Sequence, residues 1–374
     1  MHKFKILKDI NIKNKRVLLR VNFDLPIDEN EKIGDTFRLK ESLPTINYLI
    51  KQNCKVILIS HLGRPAVKKL SLKPVAKILS KFLKKEVLFA GDPKKMRFGD
   101  VLLLENIRFD KREEGNDPEF AIELAKLGNI YINDAFAVSH REHASIVGVP
   151  RYLLSAAGFL LEKETEELNK ILRNPKRPLV AIIGGAKMET KIKVINKFLK
   201  IADKVLIGGA LANTIFASQG ISMGGSVIDK NSFNEIKKMN LKNPKLFLPI
   251  DLGIWDGKNA VYRDVGPLQW FEKALDIGPK TIHLFCDVVM NSKMVVWNGP
   301  LGMTTQKPFD KGTAELIEAI DKSKAYAVVG GGDTIGFINE IHKEKVFDWM
   351  STGGGAMLDY LANGTLPGIE ALKH

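Results

Sequence analysis

The sequence is poor in cysteine and has no long apolar run. Cys54 and Cys286 are the only cysteines among 374 residues, and both lie inside apolar stretches. This usage indicates buried thiols in a reducing compartment rather than a disulfide framework. No signal peptide, lipidation motif or apolar span of membrane length is visible. These absences lead us to expect a cytoplasmic protein that does not bind membranes.

Two common nucleotide-binding motifs are also missing. No stretch has the Walker pattern of glycine, four residues, Gly-Lys and Ser or Thr. No glycine run has the G-x-G-x-x-G spacing followed by an acid that could bind a ribose. The sequence therefore argues against a Walker-type nucleoside triphosphatase and against a classical dinucleotide dehydrogenase.

The charge balance is strongly basic. The formal net charge is +14 and the isoelectric point is about 9.5, which favours anionic partners such as nucleic acid, a membrane surface or phosphorylated metabolites. The lysines are scattered over amphipathic segments, as on an ordinary solvated surface. A nucleic-acid-binding protein would explain the charge, but the sequence has no recognition-helix motif and no basic stretch with interleaved aromatic residues.

The patterning predicts two domains of the α/β class. A chain of 374 residues is long for one hydrophobic core. In both halves, short apolar strand patterns alternate with amphipathic helix patterns, which predicts parallel, doubly wound sheets. We expect an N-terminal domain at 1–157, an interdomain helix at 158–173 and a C-terminal domain at 174–355. The tail at 356–374 is expected to pack back on the N-terminal domain.

Two segments carry more local predictions. Residues 36–52 predict an amphipathic helix that is interrupted by Pro44. Residues 246–251 predict a further strand in the C-terminal half.

In the first half, polar side chains recur where predicted strands end. These residues are Asn22, His61, Arg64, Arg108 and Arg141, with Arg38 one loop beyond the first strand. Strand ends of a parallel sheet face one edge, so these groups could converge on one small anion. Taken singly, Arg108 or Arg141 is more often a surface ion pair, and His61 is more often an ordinary loop histidine.

In the second half, glycine runs follow the predicted strands. The clearest is Gly330-Gly-Gly-Asp-Thr334, between an apolar strand pattern and a helix pattern. Glycines and a helix start expose backbone N–H groups to a phosphate, and Asp333 could hold a metal that the phosphates carry. The alternative is a tight turn with Asp333 as the helix N-cap. Lys187 and Lys191 are four residues apart, so on a helix they would share one face, either around an anion or simply in solvent.

The order and spacing of several motifs resemble phosphoglycerate kinase along essentially the whole chain. The matching motifs are Ser60-His-Leu-Gly-Arg-Pro65, Leu104-Glu-Asn-Ile-Arg-Phe109, Asn133-Asp-Ala-Phe136 with His140-Arg141, Gly184-Gly-Ala-Lys187, Asp276-Ile-Gly-Pro279, Trp297-Asn-Gly-Pro300, Gly330-Gly-Gly-Asp-Thr334, Ser351-Thr-Gly-Gly-Gly355 and Leu366-Pro-Gly368. The resemblance implies a monomeric glycolytic enzyme with two Rossmann-like domains that face each other across a hinged cleft. It implies phosphoryl transfer between 1,3-bisphosphoglycerate and ADP with Mg²⁺, and no specific nucleic-acid partner.

The same resemblance implies roles for individual residues. The 3-phosphoglycerate side would comprise Asn22, Asp24, Arg38, His61, Arg64, Arg108 and Arg141. The nucleotide side would comprise Lys187, Lys191, Gly208, Gly209, Asn298, Thr305, Gly330, Gly331, Gly332, Asp333 and Thr334. The catalytic set would be Arg38, Lys187, Lys191, Gly331 and Gly354, with Asp333 as the metal ligand.

The sequence departs from the family pattern at two places. The family usually has Asp-Phe-Asn where this chain has Asn22-Phe-Asp24, so donor and acceptor are exchanged. Thr305 falls where the family usually has a glutamate at the nucleotide ribose. We expect an altered Michaelis constant for the glycerate and an altered nucleotide preference. A catalytically inactive scaffold of the same fold is the remaining alternative, although the matching Arg, Lys and Asp positions are all filled.

Overall fold

The chain forms two compact units. The computed structural model describes residues 4–28, 33–63 and 70–373. Unit 1 comprises Met1–Glu166 together with Thr365–His374, and unit 2 comprises Glu167–Gly364. The predicted site residue Arg64 lies outside the described residues.

Unit 1 is built on a sheet of six parallel strands in the order β3-β4-β2-β1-β5-β6. The strands are β1 (Arg16–Arg20), β2 (Lys55–Ile59), β3 (Val87–Phe89), β4 (Val101–Leu103), β5 (Ile130–Asn133) and β6 (Leu154–Ala157). Strands β1, β2 and β5 are almost wholly buried. Such continuous apolar strands are typical of a parallel sheet covered on both faces.

Four helices begin in the described part of unit 1 before the sheet of unit 2. They are α1 (Phe37–Lys51), α2 (Lys73–Leu83), α3 (Pro118–Ala125) and α4 (Phe159–Arg173). Apolar side chains of α1 and α2 pack with those of β1 and β2 in one core. The predicted interruption at Pro44 is wrong, because α1 continues through that residue. Packing of the buried face of α1, including Leu39, Ile46 and Leu49, offsets the hydrogen bond that proline cannot donate.

Unit 2 contains two sheets. Its strands are β7 (Leu179–Ile183), β8 (Lys204–Ile207), β9 (Leu246–Phe247), β10 (Asp251–Trp255), β11 (Ala260–Asp264), β12 (Lys273–Ile277), β13 (Met294–Asn298), β14 (Tyr326–Gly330) and β15 (Trp349–Ser351). Six of them form a parallel sheet in the order β15-β14-β13-β7-β8-β9, and the other three form an antiparallel sheet in the order β11-β10-β12. The expectation of parallel sheets is therefore confirmed for one sheet of each unit, and the small antiparallel sheet was not anticipated.

The predicted strand at 246–251 is wrong as a single element. The segment divides into β9, which belongs to the parallel sheet, and the first residue of β10, which belongs to the antiparallel sheet. Pro249 lies between them and has no N–H group to donate to a ladder, so the chain leaves one sheet there and enters the other.

Seven helices begin in unit 2, and one short helix follows in the returning segment of unit 1. They are α5 (Ile192–Ile201), α6 (Gly209–Ser218), α7 (Phe233–Lys237), α8 (Pro279–Met290), α9 (Lys311–Ser323), α10 (Gly332–Glu340) and α11 (Gly354–Asn363), followed by α12 (Pro367–Glu370). The core of unit 2 lies around the fully buried indole of Trp297, with Phe285 and Leu316 among its neighbours.

The segment that returns to unit 1 begins at Thr365. The sequence placed its start at residue 356, but residues 356–363 belong to α11, which lies in unit 2. Within unit 1, the N–H group of Gly368 donates to the carbonyl oxygen of Ser139 at 2.8 Å. A Cβ atom on Gly368 would lie 2.8 Å from Ile146, so only glycine fits this close approach.

The two cysteines are free thiols with different environments. Cys54 is buried, as expected, whereas Cys286 is only half-buried. Burial is the main cause that raises the pKa of Cys286 to about 11, so its thiol stays protonated at neutral pH. Within the described ranges, no helix is both long and apolar enough to cross a membrane.

Candidate active site

The first candidate site lies at one edge of the unit 1 sheet. Four sequence-predicted residues follow strands β1, β2, β4 and β5, in this order: Asn22, His61, Arg108 and Arg141. Because these strands run parallel, their carboxyl ends meet at the same edge. We use the name basic cluster for the group formed by Arg20, Asn22, Asp24, Arg38, His61, Arg108, Arg141 and His143.

Asp24 connects three parts of the basic cluster. Its Oδ1 atom accepts a hydrogen bond from the N–H group of Gly63 at 2.8 Å, and its Oδ2 atom lies 3.8 Å from Nε2 of His61. Its carbonyl oxygen accepts a hydrogen bond from Nη1 of Arg38 at 2.6 Å. Asn22 is buried beside it, and Asn22 Oδ1 accepts from the N–H group of Asp24 at 3.3 Å. The loop after β1 is thereby fixed against the loop after β2.

Arg20, like His143, is a member of the basic cluster that the sequence prediction missed. It is fully buried, and its Nη2 atom lies 3.2 Å from Nδ1 of His61. Its Nη1 atom donates to the carbonyl oxygen of Val21. A charged residue inside the apolar sequence Val17-Leu-Leu-Arg-Val21 was a signal that could have revealed it, because a buried charge requires partners.

His61 is held in its neutral form. Its pKa is far below the usual value, first because the ring is buried and then because Arg20, Arg108, His143 and Arg141 are positively charged or can become so. His143 is similar: burial is the main cause that lowers its pKa to about 4, helped by Arg108, Arg20, Arg141 and His140. At neutral pH the positive charge of the basic cluster therefore resides on its arginines.

Arg108 and Arg141 present their charges differently. The Arg108 side chain is mostly buried; its Nη1 atom donates to the carbonyl oxygen of Gly63 at 2.9 Å, and its Nε atom lies 3.2 Å from Oε1 of Glu114. Arg141 is exposed to solvent. Fixed and exposed guanidinium groups at one sheet edge suit a small ligand with a phosphate or a carboxylate.

The second candidate site is an edge of the parallel sheet in unit 2 where glycine turns follow strand ends. Where β7, β8, β13, β14 and β15 end and the following turns or helices begin, the chain has the following residues, which we call the glycine edge: Gly184, Gly185, Gly208, Gly209, Gly299, Gly330, Gly331, Gly332, Gly353 and Gly354. The strand order places these turns side by side.

The turns of the glycine edge approach too closely for side chains. A Cβ atom on Gly354 would lie 2.6 Å from Cα of Gly331, and one on Gly209 would lie 2.8 Å from the backbone nitrogen of Gly185. Gly331 also has φ +106°, a conformation that favours glycine. Asn298, at the end of β13, donates from Nδ2 to the carbonyl oxygen of Gly354 at 3.3 Å. The edge therefore presents bare backbone to a ligand.

Lys187 and Lys191 do not share a helical face. Helix α5 begins only at Ile192, with Lys191 as its N-cap residue, and Lys187 lies in the preceding turn. The glycine turn after β7 continues too far for the predicted helix to include Lys187. Lys187 is exposed, whereas Lys191 is buried and donates from Nζ to the carbonyl oxygen of Gly184. Burial lowers the pKa of Lys191 to about 8, and Asp333 opposes that shift.

Asp333 lies in the first turn of α10 but does not cap the helix. The N-cap residue is Gly331, and no side chain caps the helix. Asp333 is exposed, while Thr334 is buried and its Oγ1 atom accepts from the N–H group of Gly299 at 3.1 Å. The N-cap alternative for Asp333 is therefore excluded, and its carboxylate is available at the positive end of a helix.

The donors near Asp333 fit a metal ion that arrives with a ligand. Among the described residues there is no group of three or more His, Cys, Asp or Glu side chains that could hold a metal. A single exposed carboxylate beside a glycine turn fits Mg²⁺, which is usually bound by one or two carboxylates while phosphates and water supply its other ligands.

A cavity of about 260 Å³ adjoins the glycine edge within unit 2. Gly185, Gly209 and Asp333 form part of its wall. Apolar side chains such as Leu252 and Met303 form much of the rest. Thr305 is exposed and is not among the described residues that line this cavity. An apolar slot next to bare amides suits a flat organic group attached to phosphates.

Comparison with known proteins gives a consistent match. A family model described as Phosphoglycerate kinase matches residues 7–364. The chain is 41% identical over 390 residues to the phosphoglycerate kinase of Pelotomaculum thermopropionicum, covering 98% of each chain.

Solved structures show the same similarity. The phosphoglycerate kinase of Coxiella burnetii superposes with a TM-score of 0.85 at 36% identity, covering 99% of this chain and 98% of the other. The enzyme of Pyrococcus horikoshii superposes with a TM-score of 0.88 at 32% identity, covering 98% of each chain.

Proposed function

The chain belongs to the phosphoglycerate kinase family, and on that premise we propose how its residues divide the work of phosphoryl transfer. The enzyme is a glycolytic phosphotransferase with a carboxyl group as acceptor. It transfers a phosphoryl group reversibly from 1,3-bisphosphoglycerate to ADP, which gives 3-phosphoglycerate and ATP. One observation best supports this assignment of residue roles. The sheet edge of unit 1 is rich in arginine, whereas the sheet edge of unit 2 presents backbone amides without side chains.

The glycerate is assigned to the basic cluster of unit 1. Its anionic groups are bound by Arg38, His61, Arg64, Arg108 and Arg141, with Asn22 and Asp24 at the hydroxyl end. Arginine suits this task because its guanidinium group stays charged even when it is buried and donates two parallel hydrogen bonds to an anion. Neutral His61 contributes a hydrogen bond rather than a charge.

The nucleotide is assigned to the glycine edge and the adjoining cavity of unit 2. The base occupies the apolar cavity, and the phosphates meet the backbone N–H groups at the start of α10. The residues assigned here are Lys187, Lys191, Gly208, Gly209, Asn298, Thr305, Gly330, Gly331, Gly332, Asp333 and Thr334. Asp333 would hold the Mg²⁺ that arrives with the nucleotide, which would supply positive charge beside the phosphate oxygens.

Catalysis rests on position and charge. The acceptor is a carboxylate that is already ionised at neutral pH, so no general base is required. Negative charge on the phosphoryl group during transfer is neutralised by Arg38, Lys187 and Lys191. The backbone amides of Gly331 and Gly354 donate hydrogen bonds to the same group. Because the two ligands are assigned to different units, we propose that the units close before in-line transfer, which also excludes water from the acyl phosphate.

We further propose that the enzyme is a cytoplasmic monomer with no specific nucleic-acid partner. Free thiols support a reducing compartment. Light scattering on the purified protein tests the monomer, and nitrocellulose-filter binding tests the nucleic-acid partner. Retention of nucleic acid that disappears at modest salt would reflect only the net charge of +14.

A coupled assay of ATP formation from 1,3-bisphosphoglycerate tests the assignment. Arg38→Ala and Lys191→Ala should each lower kcat by about 10²- to 10³-fold, as expected for loss of one preorganised donor. Arg151→Ala and Lys258→Ala, at exposed positions outside both sites, serve as controls and should keep the parent rate. A parent protein without activity would overturn the function, and variants as fast as the parent would overturn the residue roles.

A further inference from the structure

A buried carboxylate lies behind the basic cluster and takes no part in the roles assigned so far. Glu113 is fully buried in the turn that follows Arg108. Its Oε1 atom accepts from Oγ of Ser145 at 2.6 Å, and its Oε2 atom accepts from the backbone nitrogen of Ser145 at 2.9 Å. Both oxygens of the carboxylate thus accept hydrogen bonds from a single serine, and Oε1 also lies 3.8 Å from Nδ1 of the neutral His143.

Ser145 in turn holds the side chain of Arg20 by a hydrogen bond. Because a carboxylate can only accept, the Ser145 hydroxyl must direct its proton toward Glu113. Its oxygen then accepts from Nε of Arg20, which lies 2.8 Å away. The backbone of Ser145 is held as well, since the hydroxyl of Tyr131 donates to its carbonyl oxygen at 2.6 Å. Ser145 is therefore fixed both in position and in hydrogen-bond direction.

The guanidinium group of Arg20 can take only one orientation within these contacts. Its Nε atom is bound to Ser145 and its Nη1 atom to Val21, which directs Nη2 toward His61. His61 in turn faces the carboxylate of Asp24. A continuous chain of polar contacts thus runs from Glu113 through Ser145, Arg20 and His61 to Asp24.

Glu113 also compensates charge. Burial lowers the pKa of Arg20, and the carboxylate of Glu113 is the largest of the groups that oppose the shift. Burial is the main cause that lowers the pKa of Arg108, and Arg141 and Arg20 lower it further, so these cations of the basic cluster repel one another. The buried negative charge of Glu113 reduces that repulsion at Arg20.

We propose that Glu113 and Ser145 are positioning residues for the basic cluster, which set the orientation of Arg20 and through it His61 for binding the glycerate. This inference rests on the proposed function of unit 1. The competing interpretation is that Glu113 only stabilises its own turn, where its carbonyl oxygen accepts from the backbone nitrogen of Ala144 at 2.9 Å.

The two interpretations differ in which ligand is affected. Ser145→Ala and Glu113→Gln should each weaken calorimetric binding of 3-phosphoglycerate about tenfold, as expected when a charged hydrogen bond is lost, and leave ADP binding unchanged. Both residues act through Arg20, so their effects should not add. The affinity of the double variant for 3-phosphoglycerate should equal that of the more affected single variant.

Matched controls separate positioning from general stability. Ser155→Ala removes an equally buried hydroxyl in unit 1 that donates only to the carbonyl oxygen of Leu153. Glu272→Gln removes a buried carboxylate in unit 2 that is paired with Arg263. Both controls should lose thermal stability to a similar extent as the test variants, yet keep the parent affinity for 3-phosphoglycerate.

The outcomes distinguish the two proposals. If Ser145→Ala and Glu113→Gln bind 3-phosphoglycerate as tightly as the parent, the positioning role is wrong. Losses that add in the double variant would also contradict it, because they would show two independent effects. If the parent binds no 3-phosphoglycerate and forms no ATP, the proposed function itself fails. Ser145→Ala changes a single oxygen atom, so it provides the test even if Glu113→Gln does not fold.

Discussion

The ammonium group of Lys191 occupies the space that a side chain on Gly299 would fill. A Cβ atom on Gly299 would lie 2.6 Å from Nζ of Lys191, and one on Gly185 would lie 2.7 Å from the same atom. Gly299 has φ +89°, and its carbonyl oxygen accepts from the indole nitrogen of Trp297 at 2.8 Å. The turn after β13 is therefore shaped around a buried lysine.

We expect Gly299→Ala to displace Lys191 and to lower kcat/KM for ATP by about a hundredfold, the size of effect seen when one charge-stabilising donor is lost. The added methyl group would also collide with the carbonyl oxygen of Gly184. The coupled assay measures the activity, and thermal unfolding measures the accompanying loss of stability.

Gly220→Ala is the matched control for that variant. Gly220 has φ +91°, but a Cβ atom there would meet nothing within 4 Å. The Gly220→Ala variant should lose about 1 kcal/mol of unfolding free energy, because alanine is strained at a positive φ. Its activity should be unchanged. Equal activity in the two variants would show that the space around Lys191 is not required.

The pH dependence of nucleotide use should report Lys191. Its pKa is lowered to about 8, mainly by burial, so the ammonium is present below that pH and is lost above it. Since the charged form binds phosphate, kcat/KM for ATP should fall as the pH rises through about 8 in the free enzyme. Lys191→Ala should give a lower value with no inflection near pH 8. A parent profile that stays level from pH 7 to 9 would contradict this.

The exchanged pair at the end of β1 should alter glycerate binding more than turnover. Asp24 accepts from Gly63 and faces His61, and Asn22 accepts from Asp24. In the double variant Asn22→Asp, Asp24→Asn, an amide carbonyl can still accept from Gly63, but the charge moves away from His61. We expect a changed KM for 3-phosphoglycerate at nearly constant kcat. Identical kinetics in parent and double variant would show that the order is irrelevant.

Thr305 gives a prediction about the nucleotide. A threonine hydroxyl cannot accept from two ribose hydroxyls as a carboxylate does. Thr305→Glu should therefore tighten ADP binding and change the preference between ADP and GDP, measured by calorimetry with both nucleotides. Thr305→Gln provides the uncharged control. Affinities that match the parent for both nucleotides would exclude a role for position 305.

The strand-end residues show how far sequence reasoning extends. Because the carboxyl ends of parallel strands meet at one edge of a sheet, the sequence was sufficient to predict a shared edge for Asn22, His61, Arg108 and Arg141. The structure has all four at that edge. The glycine turns of unit 2 follow from the same rule. Local order along the chain is sufficient for predictions of this type.

The unanticipated features depend on contacts between distant segments. Arg20 and Glu113 are joined through Ser145, which lies 125 residues from the first and 32 from the second. Four-residue spacing suggested one helical face for Lys187 and Lys191, but the glycine turn after β7 delays the helix until Ile192. The strand prediction across Pro249 counted apolar residues and overlooked the missing N–H group.

The return of the chain to unit 1 at Thr365 has a consequence for synthesis on the ribosome. Domains generally fold in the order in which they are translated. Here the contacts of Gly368 with Ser139 and Ile146 require residues that are translated after those of unit 2. Unit 1 thus emerges early but reaches its final packing only after unit 2 has been translated.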